Sequence, residues 1–175
     1  TNRMLANSDD ADDPASRTHN FDQLREAYAE QTRGLIDGGC HILLIETIFD
    51  VLNAKAAIVA VQDVLREREL DLPIMISVTF IQKGNNRTVL GQTVESFWHT
   101  VAHCDPVTVG LNCGLGAREL RGPLMELVEI SDARIHCYPN AGLPNPLAKT
   151  GFDETPEITG EYVGELAREG MVNMV

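Results

Sequence analysis

The sequence predicts an α/β fold of about five parallel strands that alternate with helices. Three observations carry that expectation. Apolar, β-branched runs begin roughly every 30 residues along the chain, which is the length of one βα unit. The segments between them place apolar residues at helical spacing. The runs are apolar on successive residues rather than alternate ones, which predicts cover on both faces and parallel strands joined by crossover helices.

Residues 1–20, TNRMLANSDDADDPASRTHN, have no apolar period and are rich in Asp, Asn and Ser. They read as a long loop, of the kind that either lies over a functional site or trails as a tail. Successive βα units occupy 21–175. In Phe21 to Asp37, Leu24, Tyr28, Gln31 and Leu35 recur on one helical face, Asn20 can cap the start, and Gly38-Gly39 stops the helix. His41 to Thr47 (HILLIET) is the first expected strand, followed by a helix over Leu52 to Glu69. Pro73 to Phe80 (PIMISVTF) is the second strand, and Thr93 to His103 the next helix. Val107 to Cys113 is the third, leading to a helix over Ala117 to Ile130. Arg134 to Tyr138 (RIHCY) is the fourth, and a helix over Pro156 to Glu169 leads to a fifth, Met171 to Val175 (MVNMV).

A barrel and a doubly wound sheet both fit this order. No GxGxxG follows the first strand and no P-loop occurs, so the nucleotide-binding sheets lose support and the barrel gains. A complete eight-stranded barrel takes about 250 residues. The chain has 175, so the expectation is a partial (β/α)8 barrel truncated at both ends.

Charge and apolar content narrow the partners. The formal net charge is −12 and the pI is about 4.7, with no basic stripe to attract a phosphate backbone or an anionic membrane. Nucleic acid and membrane are therefore not expected partners. The longest apolar stretches, Ile42 to Ile45 and Ala56 to Val61, fall far short of the roughly 20 residues of a membrane span, and no signal peptide opens the chain. Cys40, Cys104, Cys113 and Cys137 form no CxxC pair and read as reduced thiols, which predicts a cytoplasmic protein. Cys40 and Cys104 read as small buried hydrophobes.

Parallel strands bring their C-terminal ends to one face, where α/β folds keep their chemistry. The polar residues expected there are Glu46, Asp50, Ser77, Thr79, Asn112, Cys113, Asn140 and Asn173. Glu46 would be costly to bury unpaired, so it needs a cation or solvent, unless it caps the next helix. Asn140, in PNAGLPNP, is either a turn former or a pocket residue. His41, His99, His103 and His136 show no metal-ligand spacing and read as ordinary. Cys113, in VTVGLNCGLG, has three readings. A nucleophile would want a base, and no strand-end His is on offer. A structural thiol is the second. A zinc ligand is the third, although a catalytic zinc takes three protein ligands and one thiolate is not enough.

Several motifs in one order carry a resemblance. GLNCGLG after a strand, ETIFDVLNAKAA after another, PIMISVTF, the GQTVESFW helix start and HCYPNAGLPN resemble the homocysteine-binding (homocysteine S-methyltransferase) barrel of the cobalamin-dependent methionine synthases. The similarity runs through nearly the whole chain, including the opening TNR and DPASR…FDQL. ETIFD-x-LNAKAA and PNAGLPN resemble this branch more than the betaine-dependent one.

The resemblance implies that residues 1–175 are a fragment, the C-terminal part, of one homocysteine-binding barrel domain, inactive alone. It implies zinc held by Cys113 together with an adjacent Cys pair that the family carries in a GGCCG turn beyond Val175. It implies that zinc ionises the homocysteine thiol, which then takes a methyl group from methylcobalamin bound on another domain, giving methionine. Glu46 would hold the homocysteine amino group, while Ser77, Asn112 and Asn140 line the pocket. Asn140 is also a candidate fourth zinc ligand when substrate is absent. Cys137 lies where the family places no ligand, and Tyr138 stands where relatives often carry His. The implied partners are homocysteine and the cobalamin and folate domains of the same polypeptide. The alternatives are a relative using S-methylmethionine or betaine as methyl donor, and a non-catalytic βα-repeat binding module.

Overall fold

The helix expected at residue 21 forms over Phe21–Asp37 (α1), and its start is fixed reciprocally. The Asn20 side chain accepts from the Gln23 amide while the Gln23 side chain accepts from the Asn20 amide, both at 2.9 Å. This capping box satisfies two amides that a helix start would otherwise leave open. The computed structural model describes residues 4–175, so the opening Thr1-Asn2-Arg3 of the resemblance lies outside the described residues. After α1 come β1 (Leu43–Ile48), α2 (Val51–Glu67), β2 (Ile74–Val78), α3 (Val94–Val101) with a 3-10 turn (Ala102–Cys104), and β3 (Thr108–Gly116). Then follow α4 (Ala117–Ile130), β4 (Arg134–Asn140) and α5 (Pro156–Arg168).

The four strands form one sheet in the order β1-β2-β3-β4, every neighbouring pair parallel. This is an α/β fold consistent with a partial β/α barrel, as expected. Alternate strand residues face the helices. Ile76 and Val78 of β2, Val109 and Leu111 of β3, and Cys137 of β4 are fully or almost fully buried in one core with α2, α3 and α4. Ile58, Phe97, Leu120, Leu124 and Leu127 are among the large helix residues completely withdrawn from water there.

Three expectations need correction. The fifth strand does not form as a ladder: Met171 to Val175 touches β4 through one parallel bridge, His136 to Met174. The cause is Asn173, whose side-chain oxygen takes the Ile135 amide at 2.8 Å, a donor that a strand would pair with a backbone carbonyl. Second, β1 is not covered on both faces, since Leu44 is 45% exposed while its neighbour Leu43 is buried. Third, the apolar face of α1 is narrower than its spacing predicts, with Leu24 and Thr32 buried but Leu35 exposed.

Residues 4–20 contain no helix or strand, as expected of a loop, yet they are anchored. The Leu5 and Ala6 amides donate to one oxygen of Asp50 at 2.6 and 3.0 Å, and Leu5 is buried beside Leu24 and Ala56. The other Asp50 oxygen caps α2 through the Leu52 and Asn53 amides. One carboxylate thus ties the opening loop to a helix start. Among the described residues no helix is long and apolar enough to cross a membrane.

On the face away from the helices, Gly110 of β3 lets His136 of β4 approach. A Cβ at Gly110 would lie 2.0 Å from the His136 carbonyl oxygen and 2.7 Å from its ring. The ring is buried, with Nδ1 2.8 Å from the Thr108 hydroxyl and Nε2 without a partner among the described residues. Burial pushes its pKa down to about 4.

Candidate functional site

The parallel sheet brings the C-terminal ends of β1 to β4 to one rim, and Asn112 fastens those of β1, β2 and β3. Its side-chain oxygen accepts from the Thr47 amide at 2.9 Å and the Ser77 hydroxyl at 2.6 Å. Its amide nitrogen donates to the Thr47 hydroxyl at 2.8 Å. Its backbone carbonyl accepts from the Thr79 hydroxyl at 2.7 Å. Ser77, Thr79 and Asn112 are all buried, so this network joins β1, the end of β2 and β3 in low dielectric, where satisfied polar groups specify one arrangement.

The two residues with chemistry on offer sit where strand pairing is broken. Between β1 and β2 the pairs Ile45–Ile76 and Ile48–Val78 leave Glu46 and Thr47 opposite Ser77 alone, so β1 carries one extra residue. Between β3 and β4 the pairs Asn112–Tyr138 and Gly116–Asn140 leave three residues, beginning with Cys113, opposite Pro139 alone. Bulges of this kind re-aim side chains at the ends of sheets. Both carry a left-handed residue that is not glycine, Thr47 at φ 58° and Cys113 at φ 59°. Gly114 follows at φ 71°, and a Cβ there would lie 2.3 Å from the Phe80 carbonyl oxygen. The glycine after Cys113 is therefore a steric requirement of the turn.

The expected rim residues divide accordingly. Glu46 is exposed beside Thr47, and Cys113 is half-buried beside Asn112. Asn140 is half-buried at the end of β4, opposite Gly116 rather than Cys113. Tyr138, in register with Asn112, is 69% exposed. Asp50 is at the rim, but both its oxygens are engaged by backbone amides, which makes it a helix cap. Asn173 is not at the rim, because it lies beside Ile135 near the start of β4. Cys104 and Cys137 are buried thiols, pushed up to about 11 and about 12 by desolvation, while Cys40 is only half-buried. A groove of about 270 Å³ runs along the open edge of β1, lined by Tyr28, Thr32, Leu44, Glu46 and Thr47 among others.

Thr47 is the rim residue that the sequence does not single out. Its only signal is its place between an acidic strand end and a helix cap, in GluThrIlePheAsp, and nothing in its residue type announces a left-handed backbone. The rim presents a carboxylate and a thiol on two separate bulges, an arrangement suited to a small molecule with a cationic end and a soft or metal-bound end. The metal itself is another matter: among the described residues no three of His, Cys, Asp or Glu come together as a metal site. One thiol does not satisfy zinc, so the described residues do not by themselves fit the zinc that the resemblance implies. The family model described as homocysteine S-methyltransferase matches residues 1–175.

Proposed function

The chain therefore belongs to the homocysteine S-methyltransferase family, whose chemistry is methyl transfer to homocysteine, and on that premise we propose that its sheet rim binds homocysteine in the manner of a cobalamin-dependent methionine synthase. The observation that carries the reading is the pairing of an exposed Glu46 with a half-buried Cys113 on two bulges joined by Asn112. Glu46 takes the ammonium group, for which an exposed strand-end carboxylate is suited. Cys113 stands at the sulfur end, as one thiolate of a zinc site whose two other thiolates come from outside the described residues. Ser77 and Asn112 form the floor, and the Asn140 amide stands on the far wall, available to the metal when substrate is absent.

The methyl donor in this reading is methylcobalamin, carried with folate on other domains of the same polypeptide, and the product is methionine. Four free cysteines support a cytoplasmic setting. The test is methyl transfer to homocysteine by protein expressed from the intact source gene, offered methylcobalamin, S-methylmethionine or betaine in turn. Turnover with methylcobalamin alone, abolished by Cys113→Ser, is the expected result. Turnover with either other donor moves the protein to a different branch of the family. Turnover that survives Cys113→Ser removes Cys113 from the site.

A further inference from the structure

We infer that Thr47 is a positioning residue: latched to Asn112 in a left-handed conformation, it sets where the Glu46 carboxylate and the Cys113 thiol point. The identity of what those two groups bind rests on the proposed function, whereas the latch itself rests on geometry. A β-branched residue at φ 58° is a genuine outlier, because its side chain crowds the backbone there. Such conformations persist only where the surroundings over-determine them, and they gather at functional sites. Here the surroundings are one side chain. Asn112 accepts from the Thr47 amide and donates to the Thr47 hydroxyl, gripping both ends of the residue.

The consequence follows from strand periodicity. Side chains of a regular strand alternate between faces, and one extra residue reverses every side chain beyond it. In β1 the extra residue falls at Glu46 and Thr47, so Ile48 returns to the core, 5% exposed, while Glu46 stays at the solvent side. Were Thr47 extended, either Ile48 would leave the core or Glu46 would turn away from the rim. The grip is mutual. Asn112 is held by Thr47 and Ser77 through its side chain and by Thr79 through its carbonyl, and the next residue in the chain is the left-handed Cys113. Loosening Thr47 therefore also frees the turn that presents the thiol.

Substitutions at position 47 separate positioning from direct contact. Thr47→Gly loses the hydroxyl but adopts positive φ freely. Thr47→Ser keeps the hydroxyl. Thr47→Val keeps the shape, loses the hydroxyl and resists positive φ. The first readout is iodoacetamide alkylation of Cys113 in the chelator-treated chain, followed by peptide mass spectrometry with Cys40 as internal reference. Thr47→Ser should stay within about twofold of the parent rate, whereas Thr47→Gly, which loses the hydroxyl that Asn112 grips, should raise it about threefold, and Thr47→Val and Asn112→Ala about tenfold, the change that 1.4 kcal/mol produces. Should Thr47→Val fail to fold, Ser77→Ala takes its place, with a rise of about threefold. Parent rates in Asn112→Ala and in Thr47→Val or its replacement overturn the latch.

The second readout is homocysteine titration of protein from the intact source gene, with Glu46→Gln as control. The conservative Thr47→Ser should bind within about twofold of the parent and Thr47→Val about tenfold more weakly. If Thr47→Val binds weakly while its Cys113 alkylates at the parent rate, the hydroxyl touches substrate and the latch is overturned. If the parent does not bind, or Glu46→Gln is indifferent, the proposed function falls while the alkylation rates still decide the latch.

Discussion

At the scale of single residues the site divides into groups that face a ligand and groups that face each other. Glu46 belongs to the first. Glu46→Gln keeps the shape and removes the charge, and a hydrogen bond to a charged group is worth about 1.5–3 kcal/mol. Homocysteine affinity should fall roughly ten- to a hundredfold, nearer the lower figure because solvent screens an exposed carboxylate. Zinc content, measured on the same protein, should not change. The thiols divide likewise. Cys104 and Cys137 are buried and pushed up to about 11 and about 12, so they stay neutral and shielded in the native protein. Alkylation at pH 8 should label Cys40 and Cys113 first, with Cys104 and Cys137 labelled only after denaturant; early labelling of Cys137 would contradict the packing. Asn112 and Cys113 were legible from VTVGLNCGLG because an amide and a thiol ending an apolar run are visible as residue types. Thr47 was not, because its backbone angle is imposed by a side chain 65 positions away.

At the scale of elements, helix limits follow closely from local chemistry and strand limits less so. The bounds of α1 agree with the sequence because a capping box and a glycine turn stand next to them. Strand pairing depends on a partner, which is why MVNMV reads as a strand although the Asn173 side chain takes the amide that a ladder needs. The β3–β4 contact gives two predictions. Gly110→Ala places a Cβ 2.0 Å from the His136 carbonyl, and overpacking of this kind costs about 1–3 kcal/mol. Thermal melting should shift down, and an unchanged midpoint would show that the strands can part without penalty. His136, neutral in the fold with its pKa at about 4, gains a proton more readily when unfolded, where its pKa is near 6.5. Its contribution to stability is therefore full above pH 6.5 and lost as the pH falls from there to about 4. Denaturant midpoints followed over that range should fall in the parent protein and fall less in His136→Gln.

At the scale of the whole fold, the described residues leave β1 without a partner along one edge, and Leu44 and the groove beside it are in contact with water. An open edge with apolar neighbours invites pairing with another strand. Sedimentation of the 175-residue chain should show concentration-dependent association, reduced by Leu44→Lys. A strictly monomeric chain at high concentration would show that the edge is shielded in solution. The same chain should bind zinc weakly, since one thiolate falls short of the three protein ligands of a stable site. Tight stoichiometric zinc that survives Cys113→Ala would overturn the ligand set. The α/β class and the parallel order were legible from the recurrence of strand-like runs. The bulges that aim Glu46 and Cys113 were not, because register is decided between strands.

The sheet order β1-β2-β3-β4 repeats the order of the chain, so each strand pairs with the next one to be synthesised. Strand starts at 43, 74, 108 and 134 make every pairing a loop closure of similar length. The entropic cost of closure grows only with the logarithm of loop length, so no single pairing is a dominant obstacle. A chain leaving the ribosome can join β1 to β2 before β4 exists, and structure can grow from the N-terminal side as synthesis proceeds. The Asn112 latch is the exception, because it reaches back past β2 to Thr47. It closes only once the third strand has arrived, which makes the functional rim the last part of the β1–β3 unit to become fixed and the first to give a signal of its completion.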